Sequence, residues 1–246
     1  MENINCKISV ITICYNCKAD LEGTIKSVLS QTYDNIEYII VDGGSTDGTS
    51  DILKKYQNDI SKLISEPDNG IYDALNKGVN AATGDWIICM NAGDIFVSAT
   101  TLSDIFSQQI PQGKTVLYSD FLLCQSDGST TLRKTDRSIG EIHHQNIIYR
   151  RLLHEQYGYY IITKPYIISD LLFFLAIPET QYYKLPSPIA KVKAGGISDN
   201  QWCTEQAWAA KMIYGMDTIP GIFWKFLRVR AYIFVKRLFT KYIAHE

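Results

Sequence analysis

The sequence predicts an α/β protein: a mostly parallel central sheet flanked by helices, followed by a basic, aromatic helical tail at the C-terminus. Three observations predict it. Over the first 120 residues, short β-branched runs alternate with helix-compatible segments. The second strand is apolar through its last half, as a strand covered on both faces should be. No internal repeat, low-complexity tract or linker interrupts the chain, so one core is expected, and 246 residues at 46% hydrophobic content suffice for it.

The elements follow in order. Ile8 to Cys14 reads as a strand ending at the polar turn Tyr15-Asn16. Asp20 is expected to cap a helix whose Leu21, Ile25, Val28 and Leu29 share one face. A strand from Ile36 to Val41 runs into the turn-rich Asp42-Gly43-Gly44-Ser45-Thr46-Asp47-Gly48, then a helix from about Thr49 to Gln57. Lys62 to Ser65 is a short strand. In the helix from about Ile71 to Ala82, Leu75, Gly78, Val79 and Ala82 form an apolar face, and Asp73, Asn76, Lys77 and Asn80 a polar one. Trp86 to Met90 is the fourth strand. The second half is less regular. Val116 to Leu123 and Ser129 to Lys134 look like a hairpin around Ser126-Asp127-Gly128, and Asn146 to Tyr149 like a strand. Ser169 to Ile177 reads as a buried helix, and Asn200 to Tyr214 as another.

Charge narrows the partners. With 24 Lys+Arg against 26 Asp+Glu the chain carries −2, so it is not a nucleic-acid binder by charge. The tail from Ile222 holds six basic residues (Lys225, Arg228, Arg230, Lys236, Arg237, Lys241) and one acidic, leaving a body near −7 and a tail near +5. Phe223, Trp224, Phe226, Tyr232, Phe234, Phe239 and Tyr242 are interleaved with those cations. That composition suits a helix at an anionic membrane surface; a docking helix for a partner is the competing reading. No run of about 20 apolar residues predicts a spanning helix. The N-terminus lacks a secretory pattern. Six cysteines then read as free thiols in a cytosolic setting, Cys14 and Cys17 forming a CxxC without the further ligands a zinc site needs.

Carboxylates gather where such sheets bind ligands, beyond the strands' carboxyl ends. Asp42 ends the second strand before two glycines, placed either to take bonds from a base or ribose or to sit in a turn that Asp47 caps. Asn91-Ala92-Gly93-Asp94 follows the fourth strand. An acid there, beside a glycine, fits a hard cation shared with phosphate oxygens, or else a solvated turn. Asp170 lies inside the apolar run Tyr166 to Phe174, which is costly unless it has a role or a partner; capping the following helix with Ser169 is the alternative.

Ile8 to Asn16, Val41 to Thr49, Asp68 to Gly78 and Asn91 to Asp94 together resemble family 2 glycosyltransferases, most closely the colanic-acid and O-antigen branch of bacterial polysaccharide enzymes. The likeness is dense over residues 7–96 and thinner through His144-Gln145, Ser169-Asp170 and Gly195 to Ser198. It implies a GT-A fold, Rossmann-like, over residues 1–221, with about 1–120 binding a nucleotide-sugar and about 121–221 facing the acceptor, and residues 222–246 as the tail. It implies donor contacts from Thr12, Tyr15, Asn16, Asp42, Gly43, Asp73, Lys77, Asn91, Ala92 and Gly93. Asp94 would ligate Mn²⁺ or Mg²⁺, with His144 as a further metal or phosphate contact or simply a hydrogen-bonded loop histidine. Asn91 stands where the first acid of the DxD-type motif often does. His144, Gln145, Arg150 and Arg151 would border the acceptor or its diphosphate, and Asp170 would be the base. The implied reaction is inverting transfer of a hexose from a UDP- or GDP-sugar to a lipid-pyrophosphate-linked saccharide, for O-antigen, lipopolysaccharide or related surface polysaccharide. Its place is the cytoplasmic face of the bacterial plasma membrane. The alternative is an inactive nucleotide-sugar-binding or scaffold protein, for which Asn91 is the hint.

The full chain is expected to co-sediment with anionic liposomes, and a chain ending at Gly221 to lose most of that binding. Equal sedimentation of the two would sink the membrane reading.

Overall fold

In a computed structural model, which describes residues 6–162, 167–196, 201–218, 220–225 and 227–228, the alternation resolves into one large sheet and one small one. The chain runs β1 (Ile8–Cys14), α1 (Lys18–Leu29), β2 (Ile36–Asp42), α2 (Thr49–Lys55), β3 (Lys62–Ser65), α3 (Ile71–Ala81) and β4 (Trp86–Cys89). It continues through β5 (Ile95–Phe96), α4 (Thr101–Phe106), β6 (Val116–Tyr118), β7 (Phe121–Cys124), β8 (Thr130–Arg133), β9 (Ile147–Arg150) and α5 (Leu153–Tyr157). Then come α6 (Ser169–Ala176), β10 (Tyr182–Lys184), β11 (Ala190–Lys193) and α7 (Gln201–Ile213). The seven-stranded sheet has the order β10-β6-β9-β4-β1-β2-β3, and only β9 runs against its neighbours. The four-stranded sheet has the order β5-β11-β7-β8.

Alternate residues of the central strands feed two cores, one on each face. Ile8, Val10, Tyr38 and Ile40 pack with Leu21, Ile25 and Val28 of α1. Ile11, Ile13, Ile39 and Val41 pack with Tyr72, Leu75 and Val79 of α3. The apolar face read from α3 is the one buried. Gly78 is needed there, because a Cβ would stand 2.5 Å from Ile11 Cγ2. On the polar face Asn76 clamps the Tyr160 backbone, donating from Nδ2 to its carbonyl (2.8 Å) and accepting its N–H at Oδ1 (3.0 Å).

Three local expectations are corrected. Asp20 does not cap α1: the helix begins at Lys18, and Asp20 lies in its first turn, where Oδ1 accepts from Lys193 Nζ (2.6 Å). The run from Val116 to Leu123 is two strands in different sheets. It breaks at Ser119-Asp120, where Ser119 is buried and accepts the Ile189 N–H at Oγ, so β6 stays in the large sheet while β7 leaves to pair with β8 and β11. The β7–β8 hairpin itself forms as read, turning at Gly128. Finally, α2 stops at Lys55, short of Gln57. Of the tail, residues 222–225 and 227–228 are helical, with Phe223 and Trp224 exposed by 57% and 65%; the remainder lies outside the described residues. Among the described residues no helix is long and apolar enough to cross a membrane.

The element that carries Asp170 is held by an aromatic cluster. Phe173 of α6 stacks on His154 at 4.4 Å between centroids, and Tyr149 and Tyr160 complete the packing. His154 is 4% exposed and neutral, donating from Nδ1 to Gly158 O (3.0 Å) and accepting the Tyr149 hydroxyl at Nε2 (3.0 Å). Burial pushes its pKa down to about 4, against the smaller opposing effect of Gly158. A depressed histidine leaves the folded state without a proton that the unfolded chain takes up below about 6.5. Stability should therefore fall as pH drops from 6.5 through 4, by about 3 kcal/mol for this group. Urea midpoints measured across that window should show the loss, and a His154→Gln variant should flatten it.

Candidate active site

Two loops at the carboxyl edge of the sheet are stitched into one surface. Asn16, at φ 49° the one residue other than glycine with positive φ among those described, accepts the Thr46 N–H at Oδ1 (2.9 Å) and donates its own N–H to Ser45 Oγ (2.8 Å). Lys18 N donates to Asp47 Oδ2 (3.0 Å), and Asp47 Oδ1 accepts the Thr49 N–H, so Asp47 does serve the turn. Asp42 lies beneath, 1% exposed. Its Oδ1 accepts the Ser45 hydroxyl (2.5 Å) and its Oδ2 the Ser65 hydroxyl (2.7 Å), so in this state it anchors the loop. Tyr15 presents its ring to solvent at 64% exposure. Gly43 lets the loop meet Asp68, whose Oδ2 would lie 2.4 Å from a Cβ. Asp73 accepts the Asn69 N–H (2.8 Å), and Lys77 bridges Glu66 (2.9 Å) and the Pro67 carbonyl (3.0 Å) beside it. Thr12 sits below the edge, donating to Met90 O (2.7 Å).

Next to these loops opens a cavity of about 880 Å³, with Asn91, Ala92 and Asp94 in its wall. Gly93, at φ 103°, donates its N–H to Thr24 Oγ1 (2.9 Å), and that hydroxyl donates to Asp94 O (2.8 Å). Asp94 is 5% exposed; Oδ1 accepts the Lys193 N–H (3.1 Å), and its other oxygen has no partner among the described residues. Burial pushes this carboxyl up to about 6, against the Lys193 N–H and the field of His144.

At the same cavity four side chains from four segments form a continuous chain. Asn91 Nδ2 donates to His144 Nε2 (2.8 Å), His144 Nδ1 donates to Asp170 Oδ2 (2.7 Å), and Tyr72 OH donates to Asp170 Oδ1 (2.7 Å). Burial alone would raise the Asp170 carboxyl; the bonds from His144 and Tyr72 overcome it and hold it at about 2. Burial and Asp170 both push the Tyr72 phenol up, so it remains a donor. Asn91 Oδ1 is buried with no partner.

The expected site residues are sorted by this geometry. Asn91, Ala92, Asp94, His144, Gln145 and Asp170 meet at the cavity. His144 has both ring nitrogens engaged, Nδ1 by Asp170 and Nε2 by Asn91, as the hydrogen-bonded loop histidine of the alternative reading would. The capping alternative for Asp170 also fails: α6 starts at Ser169, whose Oγ accepts the Ile161 N–H, and Asp170 turns to His144 and Tyr72 instead. Arg150 and Arg151 are corrected as diphosphate contacts. Because β9 runs against β4, pairing Arg150 with Trp86, it carries both away from the carboxyl edge. Arg150 lies over the Trp86 ring at 4.4 Å, and Arg151 Nε donates to Gly84 O (3.1 Å). Tyr72 and Lys193 were missed. Tyr72 stood inside a quoted motif, yet its partner is 98 residues away; Lys193 carried no local signal.

A mostly parallel sheet with one reversed strand and an acid-lined cleft at its carboxyl edge defines a GT-A-type fold. Residues 9–164 match the profile of "Glycosyl transferase family 2", and the chain belongs to that family. A PGL/p-HBAD biosynthesis glycosyltransferase of Mycobacterium bovis is 33% identical over 165 residues, 62% of each chain, so the match spans under two thirds of that relative's length. Among solved structures, S. aureus TarS 1-349 in complex with UDP aligns at TM-score 0.67 and 18% identity over 87% of this chain and 66% of that one. The mannosyltransferase PcManGT from Pyrobaculum calidifontis, in complex with GDP-Man and Mn²⁺, aligns at TM-score 0.64 and 17% identity over 93% and 70%.

Asp94 yields a test of sign. Its raised pKa means the folded state holds a proton the unfolded chain has lost between about 4 and 6, so this group's contribution to stability falls as pH rises through that window. At pH 7.5 Asp94→Asn should stabilise the ligand-free protein by up to roughly 3 kcal/mol in urea titrations. The same variant should lose any stabilisation by a divalent cation with nucleoside diphosphate.

Proposed function

We propose that this chain is an inverting, metal-dependent glycosyltransferase that moves a hexose from a UDP- or GDP-sugar to a lipid-linked saccharide in bacterial surface polysaccharide synthesis. The observation that carries the reading is that the Asn91–His144–Asp170–Tyr72 chain and Asp94 line one cavity, in a chain of this family. The relatives support the donor class: TarS is complexed with UDP and PcManGT with GDP-Man and Mn²⁺.

The residues fit a hard divalent cation. Asp94 offers a buried carboxylate with one unpartnered oxygen, a hard donor whose charge is costly where it stands. Among the described residues no three His, Cys, Asp or Glu side chains converge, so Asp94 would hold the ion with the donor's phosphate oxygens and water. Such an ion, when bound, neutralises the departing diphosphate. The stitched loops of Asn16 and Ser45, with the exposed Tyr15 ring, form the surface for the nucleoside. Asn91 fits this reading through its Nδ2, which holds His144 at the cavity wall.

Inverting transfer needs the acceptor hydroxyl to lose a proton as it attacks the anomeric carbon. We assign that proton to the Asp170–His144 pair. Asp170 fixes the imidazole through Nδ1, which leaves Nε2 as the basic atom on the cavity side, held by Asn91 until an acceptor arrives. Tyr72 keeps Asp170 charged and in place. The exposed Phe223 and Trp224 at the start of the tail suit the cytoplasmic membrane surface where a lipid-linked acceptor is met.

Thermal shifts with UDP, GDP and their sugars, with and without Mn²⁺, test the donor. Metal-dependent stabilisation by one nucleoside is expected, and none with any nucleotide would favour a scaffold. Given an acceptor, Asp170→Asn and His144→Gln should each lower kcat by about 10²- to 10⁴-fold with nucleotide binding retained.

A further inference from the structure

The cavity wall is chemically mixed. Besides Asp94 and Asp170 it includes a basic group, Arg133 and Lys134 at the end of β8 and Lys211 of α7, with Glu141 also in the lining. Lys211 is buried and ion-paired with Glu141. Arg133 and Lys134 are exposed, and neither side chain has a hydrogen-bond or ion-pair partner among the described residues. Unpaired cations pointing into a cleft are a binding feature in a way that surface ion pairs are not, since nothing in the fold uses their charge. Leu132, Leu171 and Trp208 line the same cavity and give it an apolar component.

The register places Arg133 relative to the reaction centre. Lys193, whose N–H holds Asp94, is opposite Cys124 of β7, and Arg133 is opposite Phe121 on the next strand over. Two strand spacings and three residues of rise separate the two positions by roughly 14 Å. That leaves room for sugar between a group bound at Arg133 and the donor at Asp94. The donor's own diphosphate belongs with Asp94, so the second anionic position calls for a second anionic ligand.

We infer that Arg133 and Lys134, backed by Lys211, form a subsite for the phosphate or pyrophosphate of the acceptor, with Leu132, Leu171 and Trp208 receiving the start of its lipid. The inference rests on the transferase reading above and supplies the residues that Arg150 and Arg151 do not. It commits to the acceptor's own phosphoryl group as the anion, not a bilayer headgroup.

The test is titration calorimetry on the full chain with geranyl diphosphate, in the absence and presence of saturating UDP and Mn²⁺, against geraniol as the uncharged control. The diphosphate should bind with UDP present, geraniol should not, and the Arg133→Ala, Lys134→Ala double variant should bind at least tenfold more weakly. Thermal stabilisation by UDP and Mn²⁺ should be unchanged in that variant, which shows that it folds. Equal affinity in wild type and variant, or displacement of the diphosphate by UDP, would overturn the subsite. Vesicles of phosphatidylglycerol form a second arm: a variant that loses vesicle binding while keeping geranyl diphosphate would assign the cations to the membrane and also overturn it. If wild type binds no nucleotide yet binds the diphosphate through Arg133 and Lys134, the subsite stands and the transferase reading falls.

Discussion

A buried carboxylate has to find donors, and Asp170 finds them on two elements that are remote in sequence. Its bonds to His144 and Tyr72 tie α6 to α3 and to the turn before β9, and His144 passes the link to Asn91 at the end of β4. The cleft exists in its present form because these bonds outweigh the cost of burying the charge. The aromatic packing of Phe173 against His154 and Tyr149 supports the same helix from below, so its position is doubly determined.

Asp94 and Asp170 divide the electrostatic work. Both are carboxylates beside one cavity, yet one is pushed up to about 6 and the other held at about 2. The difference lies in donors: Asp94 takes one backbone N–H, whereas Asp170 takes a phenol and an imidazole. An under-satisfied acid gains from a cation, and a fully satisfied one serves to orient its neighbour. Asp42 is anchored by two serine hydroxyls and a backbone N–H, which hold it under the loop.

Most of the first half was legible from the chain. Strands β1 to β4 and helix α3 stand within one or two residues of their expected bounds, because apolar periodicity there reports burial directly. The second half was legible only in pieces. Val116 to Leu123 reads as one β run, and nothing local marks Ser119 as the point where the chain changes sheets. Arg150 and Arg151 stand near His144 in sequence, but the antiparallel direction of β9 carries them to the other edge of the sheet.

The α/β architecture and the loops at which chemistry would be found are carried by short-range pattern, namely strand runs, turn glycines and acids that follow strands, and the family by the resemblance of the motifs between Ile8 and Asp94. The sequence also put Asp94, His144 and Asp170 forward as reactive residues. Only the tertiary structure decided what each is bonded to, and so what it can do. His144 becomes the partner of Asp170, Tyr72 joins the site across 98 residues, and Arg133 and Lys134 reach the cavity while Arg150 and Arg151 leave it. The physical reason is that a side chain's hydrogen bonds and field depend on neighbours set by strand direction and sheet membership, which no local window of residues contains.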